Sequence, residues 1–345
     1  MIRIFHNTSF DFIKWWRHAA IITIAFMVLG LASYLIKGPV NYSIEFTGGT
    51  LMQVQFTTPP NVADLRSTLD AAGIHGAEIQ EFGTSRDFTI RAQDQAQIER
   101  QASAAEGVSQ VIESTLRTKY ADGFKIIRVE AVGPKVGSEL RRGAAIAMLL
   151  ASMVTLIYLA FRFEWRFGVA AVLSTAHDVL VTLAFIKIAH IEVSLVVVGG
   201  ILTLLGYSGN DTIIIFDRVR ENLKKARKEP LYDLLNRSVN ETLPRSILTH
   251  TTTLAATLAL LVFAGEVLRP FAWVMTFGIF VATFSSIYVA SPLLLYIEQR
   301  FPRSDVGKAQ LVSASARAKP AAEVEMESPA GRKSPVRAPK ATSKA

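Results

Sequence analysis

The sequence predicts a polytopic α-helical membrane protein with six transmembrane helices and one α+β domain between the first and second. Three observations predict it. Apolar residues fill 50% of the 345 positions and mean hydropathy is +0.31, values that soluble domains also reach. Here they are clumped into six runs close to the roughly 20 residues that cross a bilayer: 19–36, 143–161, 168–188, 193–216, 247–264 and 271–297. Buried helices of soluble proteins seldom run so long without a polar face. Basic residues concentrate in alternate connections, and one connection, 37–140, is long enough to hold a folded domain.

Residues 1–18 carry Arg3, Lys14 and Arg17 ahead of the first run. That run exceeds the apolar stretch of a signal peptide and no small-residue cleavage site follows, so 19–36 reads as a retained anchor. Within 37–140, the stretch YSIEFTGGTLMQVQFT (42–57) alternates apolar and polar residues as a long strand, with a bulge or turn at Gly48-Gly49. Residues 61–72 read as a helix, with Asn61 as N-cap and Gly73 as its stop. Short strands follow at 77–82 and 87–92, joined at Gly83-Thr84-Ser85; 94–118 is helical in period, with Gly107 a breaking point, and 124–132 is a last strand. The order β-α-β-β-α-β predicts a ferredoxin-like layer of helices on an antiparallel sheet. His75, between Gly73 and Gly76, reads as a turn residue.

The other five runs fall within 141–299. Of the 37 Lys and Arg, ten lie in the tail 300–345 and eight in the connection 218–245, while the short loops 190–192 and 265–269 carry only Arg269. By the positive-inside rule both termini and the 218–245 loop are cytoplasmic, and 37–140 lies on the far side. The net charge of +8 therefore orients the chain and requires no nucleic acid; basic loops also suit anionic membrane lipid. The 218–245 loop reads as a solvated amphipathic stretch on the headgroups. The Ala-, Pro-, Ser- and Lys-rich tail reads as disordered, because it has too little apolar area to offset ordering entropy. The absence of Cys excludes thiol chemistry and Cys-ligated metal. No catalytic constellation, cofactor motif or metal set stands out.

Four ionisable residues stand out inside or at the edge of the apolar runs, where each costs about 2.5–3.5 kcal/mol on insertion scales. Asp211, in LLGYSGNDTIIIFDR, follows Gly206 and Gly209, which allow a broken helix. His177 and Asp178 are adjacent in the third run and read as a hydrogen-bonded local pair. Arg245 opens the fifth, in LPRSILTHTTTL, and Thr249, Thr252 and Thr253 continue one polar stripe at helical spacing. Burial raises a carboxylate's pKa and a nearby guanidinium lowers it, so Asp211 is either a structural pair or a proton carrier. The surroundings STAHDVLV and YSGNDTII lack the paired motifs of intramembrane aspartyl proteases.

Seven segments, in order over about 45–298, resemble the SecF family: EFTGGT, VGPKVGSEL, YLAFRFEWRFG, AHDVLVT, GYSGNDTIIIFDRVRENL, LPRSILTHTTTL and SIYVASPLLL. That family supplies the smaller membrane subunit of the bacterial SecD–SecF complex and is related to the resistance-nodulation-division permeases. The chain departs from the family pattern at Gly209 and at Pro244-Arg245-Ser246-Ile247.

The resemblance implies a non-enzymatic subunit in the inner membrane, with 37–140 periplasmic. Working with SecD, it would use the proton-motive force to promote late translocation and release of unfolded secretory chains after SecA and the SecYEG channel begin transfer. It implies a proton path through Asp211, Arg245 and, one turn on, Thr249, with His177 and Asp178 as a supporting pair. Two alternatives remain open at this point: a non-conducting scaffold subunit, and half of a proton-driven lipid or drug permease.

Overall fold

A computed structural model of the chain describes residues 8–92, 104–225 and 229–302. A 3-10 turn (Ile13–Trp15) leads into α1 (Trp16–Lys37) and the single turn α2 (Ile44–Thr47). Next come β1 (Gly49–Phe56), α3 (Val62–Ala71), β2 (Glu78–Phe82), β3 (Thr84–Ala92), α4 (Ala104–Tyr120) and β4 (Phe124–Val132). Long helices complete the chain: α5 (Pro134–Arg162), α6 (Trp165–Ile188), α7 (Leu195–Lys225), α8 (Leu231–Phe263), α9 (Arg269–Ser285), a π-turn (Ser286–Ala290) and α10 (Ser291–Arg300). The expected tail beyond 302 and the first part of the helix expected over 94–118 lie outside the described residues.

Five described helical segments, not six, are long and apolar enough to cross a membrane: α1 with its leading turn, α5, α6, α8, and α9 through α10. The expected fourth run falls in α7, where Tyr207, Ser208, Asn210 and Asp211 interrupt the apolar sequence. Helices also outrun the predicted apolar cores. The α5 helix starts at Pro134, its fixed φ suited to a first turn. The 218–245 connection is helical at both ends, which are the last turns of α7 and the first turns of α8.

The four strands form one antiparallel sheet in the order β2-β3-β1-β4. Met52, Val54 and Phe56 of β1 and Phe88, Ile90 and Ala92 of β3 share one face, because alternate strand residues point the same way. Against it pack Leu65 and Leu69 of α3 and Ile112 and Leu116 of α4, all four fully buried. Burial of each such side chain stabilises the layer by about 1.5–3 kcal/mol. Asn61 Oδ1 accepts the Ala63 N–H at 2.8 Å, capping α3 as predicted, and Gly73 and Gly83 take φ of 86° and 71° in the turns that follow α3 and β2. Two expectations fail here. Residues 44–47 are helical, so the strand begins only at Gly49, and α4 runs through Gly107 unbroken. The helical turn wins because Gly48 N–H closes onto the Ile44 carbonyl at 2.8 Å.

The sheet layer is tied to the long helices through residues 41–48. Ser43 N–H donates to the Val193 carbonyl (2.9 Å) and Val193 N–H to the Asn41 carbonyl (2.8 Å). A Cβ on Gly137 of α5 would lie 3.0 Å from Gly48 N and 3.3 Å from the Phe46 carbonyl, so backbone meets backbone there. Arg91 of β3 adds an ion pair to Glu192, just before α7, at 2.6 Å. Among the helices, α6 and the α9–α10 segment are central, with 50% and 56% of their apolar windows buried, against 6% in α5.

Candidate functional site

Helices α7 and α8 run antiparallel, and their facing polar residues form a ladder. Asn222 Nδ2 donates to Ser238 Oγ at 3.0 Å, and Arg218 pairs with Glu241 at 2.6 Å. Further along, Ser246 Oγ donates to Asp211 Oδ1 at 2.5 Å, and the Tyr207 and His250 rings meet edge to face at 5.5 Å. The steps are about one turn along each helix except the middle one, which spans about two turns of α7 (Arg218 to Asp211). The α7 helix continues through Gly206 and Gly209 without the break the glycines suggested.

Asp211 is 4% exposed, and its second oxygen, Oδ2, has no hydrogen-bond partner among the described residues. One oxygen is held and the other is not. Arg245 is not opposite Asp211. It is exposed, and among the described residues it makes no ion pair. Neighbouring helix residues point about 100° apart, so the contact made by Ser246 turns Arg245 to the flank. Thr249 is half-buried, and its carbonyl accepts the hydroxyls of Thr252 and Thr253, both at 2.9 Å. Two of the predicted stripe hydroxyls thus bond within their own helix.

His177 and Asp178 of α6 do form a pair, Nδ1 to Oδ1 at 2.9 Å, but the expectation of a merely local contact falls short. The other oxygen of fully buried Asp178 accepts Ser208 Oγ of α7 at 2.5 Å and Ser285 Oγ of α9 at 2.6 Å. One carboxylate therefore joins three helices, and the π-turn begins at the residue after Ser285. Asp178 has three donors; Asp211 has one. The first carboxylate ties three helices together, the second meets one hydroxyl.

Sequence reasoning missed Ser208, Ser246, Ser285, Tyr207 and His250. A lone Ser in an apolar run carries no charge signal, but Tyr207 and His250 each lie four residues from a member of the Asp211–Ser246 pair, a spacing that points to one face. Among the described residues no three His, Asp or Glu side chains gather as a metal site would require.

Residues 111–300 match the family described as protein export membrane protein SecD/SecF, C-terminal, and residues 34–60 match the SecD/SecF GG motif, which contains Gly48-Gly49. The protein translocase subunit SecF of Gemmatimonas aurantiaca is 68% identical over 307 residues, covering 88% of this chain and 92% of that one. That of Desulfurispirillum indicum is 40% identical over 296 residues, covering 85% and 93%. The crystal structure of SecDF, a translocon-associated membrane protein from Thermus thermophilus, superposes with a TM-score of 0.71 at 37% identity, covering 84% of this chain and 39% of that one. SecDF in a super-membrane-facing form gives 0.62 at 35% identity, covering 91% and 41%. The chain thus spans about two-fifths of those SecDF chains.

Proposed function

This chain belongs to the SecF family of protein-export membrane proteins, and from that premise we propose that it couples proton movement to protein export with a SecD partner. The observation that carries the reading is the half-satisfied carboxylate of Asp211, with Arg245 one residue past reach. Ionised, Asp211 attracts the guanidinium; protonated, it is content with the Ser246 hydroxyl. A turn of α8 by about 100° exchanges one partner for the other, so the two protonation states favour two packings. The Ser246-bonded arrangement corresponds to the neutral acid with Arg245 released, and Thr249 lines the same side of α8.

Protons enter Asp211 from the periplasmic side and leave toward the cytoplasm. Each gains about 2.3 kcal/mol per 100 mV and about 1.4 kcal/mol per pH unit, enough to bias the diffusion of an unfolded chain. The movement reaches the sheet layer by two struts: Glu45 bonded to the first turn of α7, and the Gly48–Gly137 contact at the head of α5. The reading takes α7 as a sixth span, supported by its many buried residues, and places both termini in the cytoplasm of a bacterial inner membrane. Residues 37–140 then form a periplasmic ferredoxin-like domain, a reading the strand order supports. That domain acts late, on unfolded secretory chains delivered through SecYEG by SecA, and helps their release.

Thr203 and Asn210 of α7 and Arg245 and Thr252 of α8 are exposed, although polar groups facing lipid are costly. That stripe supports a SecD helix covering this face. To test the reading, Asp211→Asn and Arg245→Met are assembled with SecD and assayed for proton flux and proton-driven secretion. Both should lose the coupled activity while still inserting and assembling. Native flux and secretion in both variants would sink it; loss of assembly alone would favour a scaffold.

A further inference from the structure

We propose that His250, with Tyr207 beside it, is the residue that hands protons to Asp211 from the periplasmic side, an inference that rests on the proton-coupled reading above. His250 is 6% exposed, and its Nδ1 has no hydrogen-bond partner among the described residues; the same holds for the Tyr207 hydroxyl and for Asp211 Oδ2. Three buried polar groups on two facing helices thus each keep an atom with bonding capacity unused. Buried polar atoms are rarely left so. Their arrangement is ordered: Tyr207 lies four residues before Asp211, and His250 four residues after Ser246. The Tyr207–His250 layer is therefore stacked about one helical turn above the Asp211–Ser246 layer, on the side toward the start of α7 and the end of α8. The next layer, where Leu204, Leu254, Met275 and Ile279 meet, is apolar. His250 and Tyr207 are thus the last ionisable groups between that seal and Asp211.

The charged neighbourhood is sparse. Facing His250 from α7 are Tyr207 and Asp211. The α9 helix, also packed on α8, has no ionisable residue from Pro270 to Ser285. The α10 helix meets α8 lower down, in the cluster around Leu243. On α8 itself the nearest ionisable residue is Arg245, and none follows His250 before the helix ends at Phe263. An imidazole placed here has one acid to serve. In the step, imidazolium gives its N–H proton to the Asp211 carboxylate, leaving neutral imidazole and neutral acid; the distance is bridged by the Tyr207 hydroxyl or one water. Imidazole then takes the next proton from the periplasmic side, where Thr253 and Thr257 continue its face of the helix at three and seven residues. One proton enters for each that Asp211 passes on.

The test uses the full chain assembled with SecD in proteoliposomes, reading proton flux against external pH. His250→Gln should slow flux on the order of a hundredfold and remove the pH-dependent limb of the flux profile. Tyr207→Phe keeps the ring packing and should slow flux while retaining that limb. Asp211→Asn should abolish flux altogether, so its failure sinks the proton-coupled reading itself. If Asp211→Asn is inactive while His250→Gln keeps the native rate and profile, the relay alone is overturned. Should His250→Gln fail to accumulate, the native imidazole is followed by nitrogen NMR. A ring that changes protonation between pH 5 and 8 sustains the proposal, and one fixed in a single state overturns it.

Discussion

Glu45 caps α7 from across the fold: its Oε2 accepts the Leu195 backbone N–H at 2.6 Å, although 150 residues separate the two. The first N–H groups of a helix lack partners within it, and the aligned peptide dipoles favour negative charge there. Ser43 Oγ donates to the same carboxylate oxygen at 3.2 Å and fixes its position. This one side chain therefore joins the segment leading into β1 to the helix that carries Asp211. Glu45→Ala leaves a half-buried donor without its charged partner and should destabilise by about 1.5–3 kcal/mol. Glu45→Gln keeps an acceptor and should lose less than half of that. Thermal unfolding in detergent, with amide exchange at Leu195, reads both, and equal losses would show that the cap is unimportant.

The Gly48–Gly137 contact gives a second expectation. A methyl group on Gly137 meets the backbone of Gly48 at 3.0 Å and of Phe46 at 3.3 Å, and backbone atoms cannot swing aside as a flexible side chain can. Gly48 also needs its φ of 74°, which side chains other than glycine's resist. Gly137→Ala should therefore force the α2 turn away from α5, at a cost of about 1–3 kcal/mol. The segment 38–48 would then be cut faster by protease. Gly143→Ala, where an added Cβ meets nothing within 4 Å, is the control and should leave cleavage unchanged.

Much of this was legible from residue spacing, and what was not has physical causes. The pattern of Asn61, Gly73 and the alternating strand residues located α3 and β2 to β4, because caps and pleat periodicity are local. Residues 42–48 also alternate, yet Glu45 is drawn into a helical turn by its distant bond to Leu195, which no local pattern announces. The apolar runs marked helices but not their ends: α7 and α8 extend about two turns or more past the run ends, held by pairs such as Arg218–Glu241. Asp211 was found by its charge. Its actual partner Ser246 was not, because a serine beside an arginine in sequence gives no sign which of the two faces inward.

The three-way contact at Asp178 predicts a graded series. Ser208 Oγ and Ser285 Oγ both donate to Oδ2, while His177 holds Oδ1. Either Ser→Ala change alone leaves the carboxylate with two donors and should cost about 1–3 kcal/mol. Residues sharing one acceptor do not add independently, so the double variant should depart from the sum by 0.5 kcal/mol or more on the usual scale of such couplings. Asp178→Leu removes all three bonds and leaves the Ser208 hydroxyl buried without an acceptor; it should be the least stable. Denaturation of the purified variants in detergent measures the series. Simple additivity would mean that the two serines do not share the oxygen in solution.

Asp87 makes the sheet layer sensitive to acid. Thr84 Oγ1 donates to its Oδ2 at 2.6 Å and Gln55 Nε2 to its Oδ1 at 2.7 Å, the latter across the β1–β3 register. These bonds, Thr84 first and Gln55 second, hold its carboxyl below the ordinary value of 3.8, against a smaller opposing effect of burial. A group whose folded pKa is depressed stabilises fully above its unfolded value and loses that contribution as pH falls through the folded one. The native chain should therefore keep its Tm from pH 7 to about pH 5 and lose it progressively below 3.8. Asp87→Asn replaces the ionisable acceptor, so it should melt lower at neutral pH and converge on the native chain as acid protonates Asp87. Amide exchange along β1 and β3, compared at pH 6 and pH 3, assigns the change to this pair of strands. A gap between native and variant that stays constant down to pH 3 would show that Asp87 titrates no differently folded than unfolded.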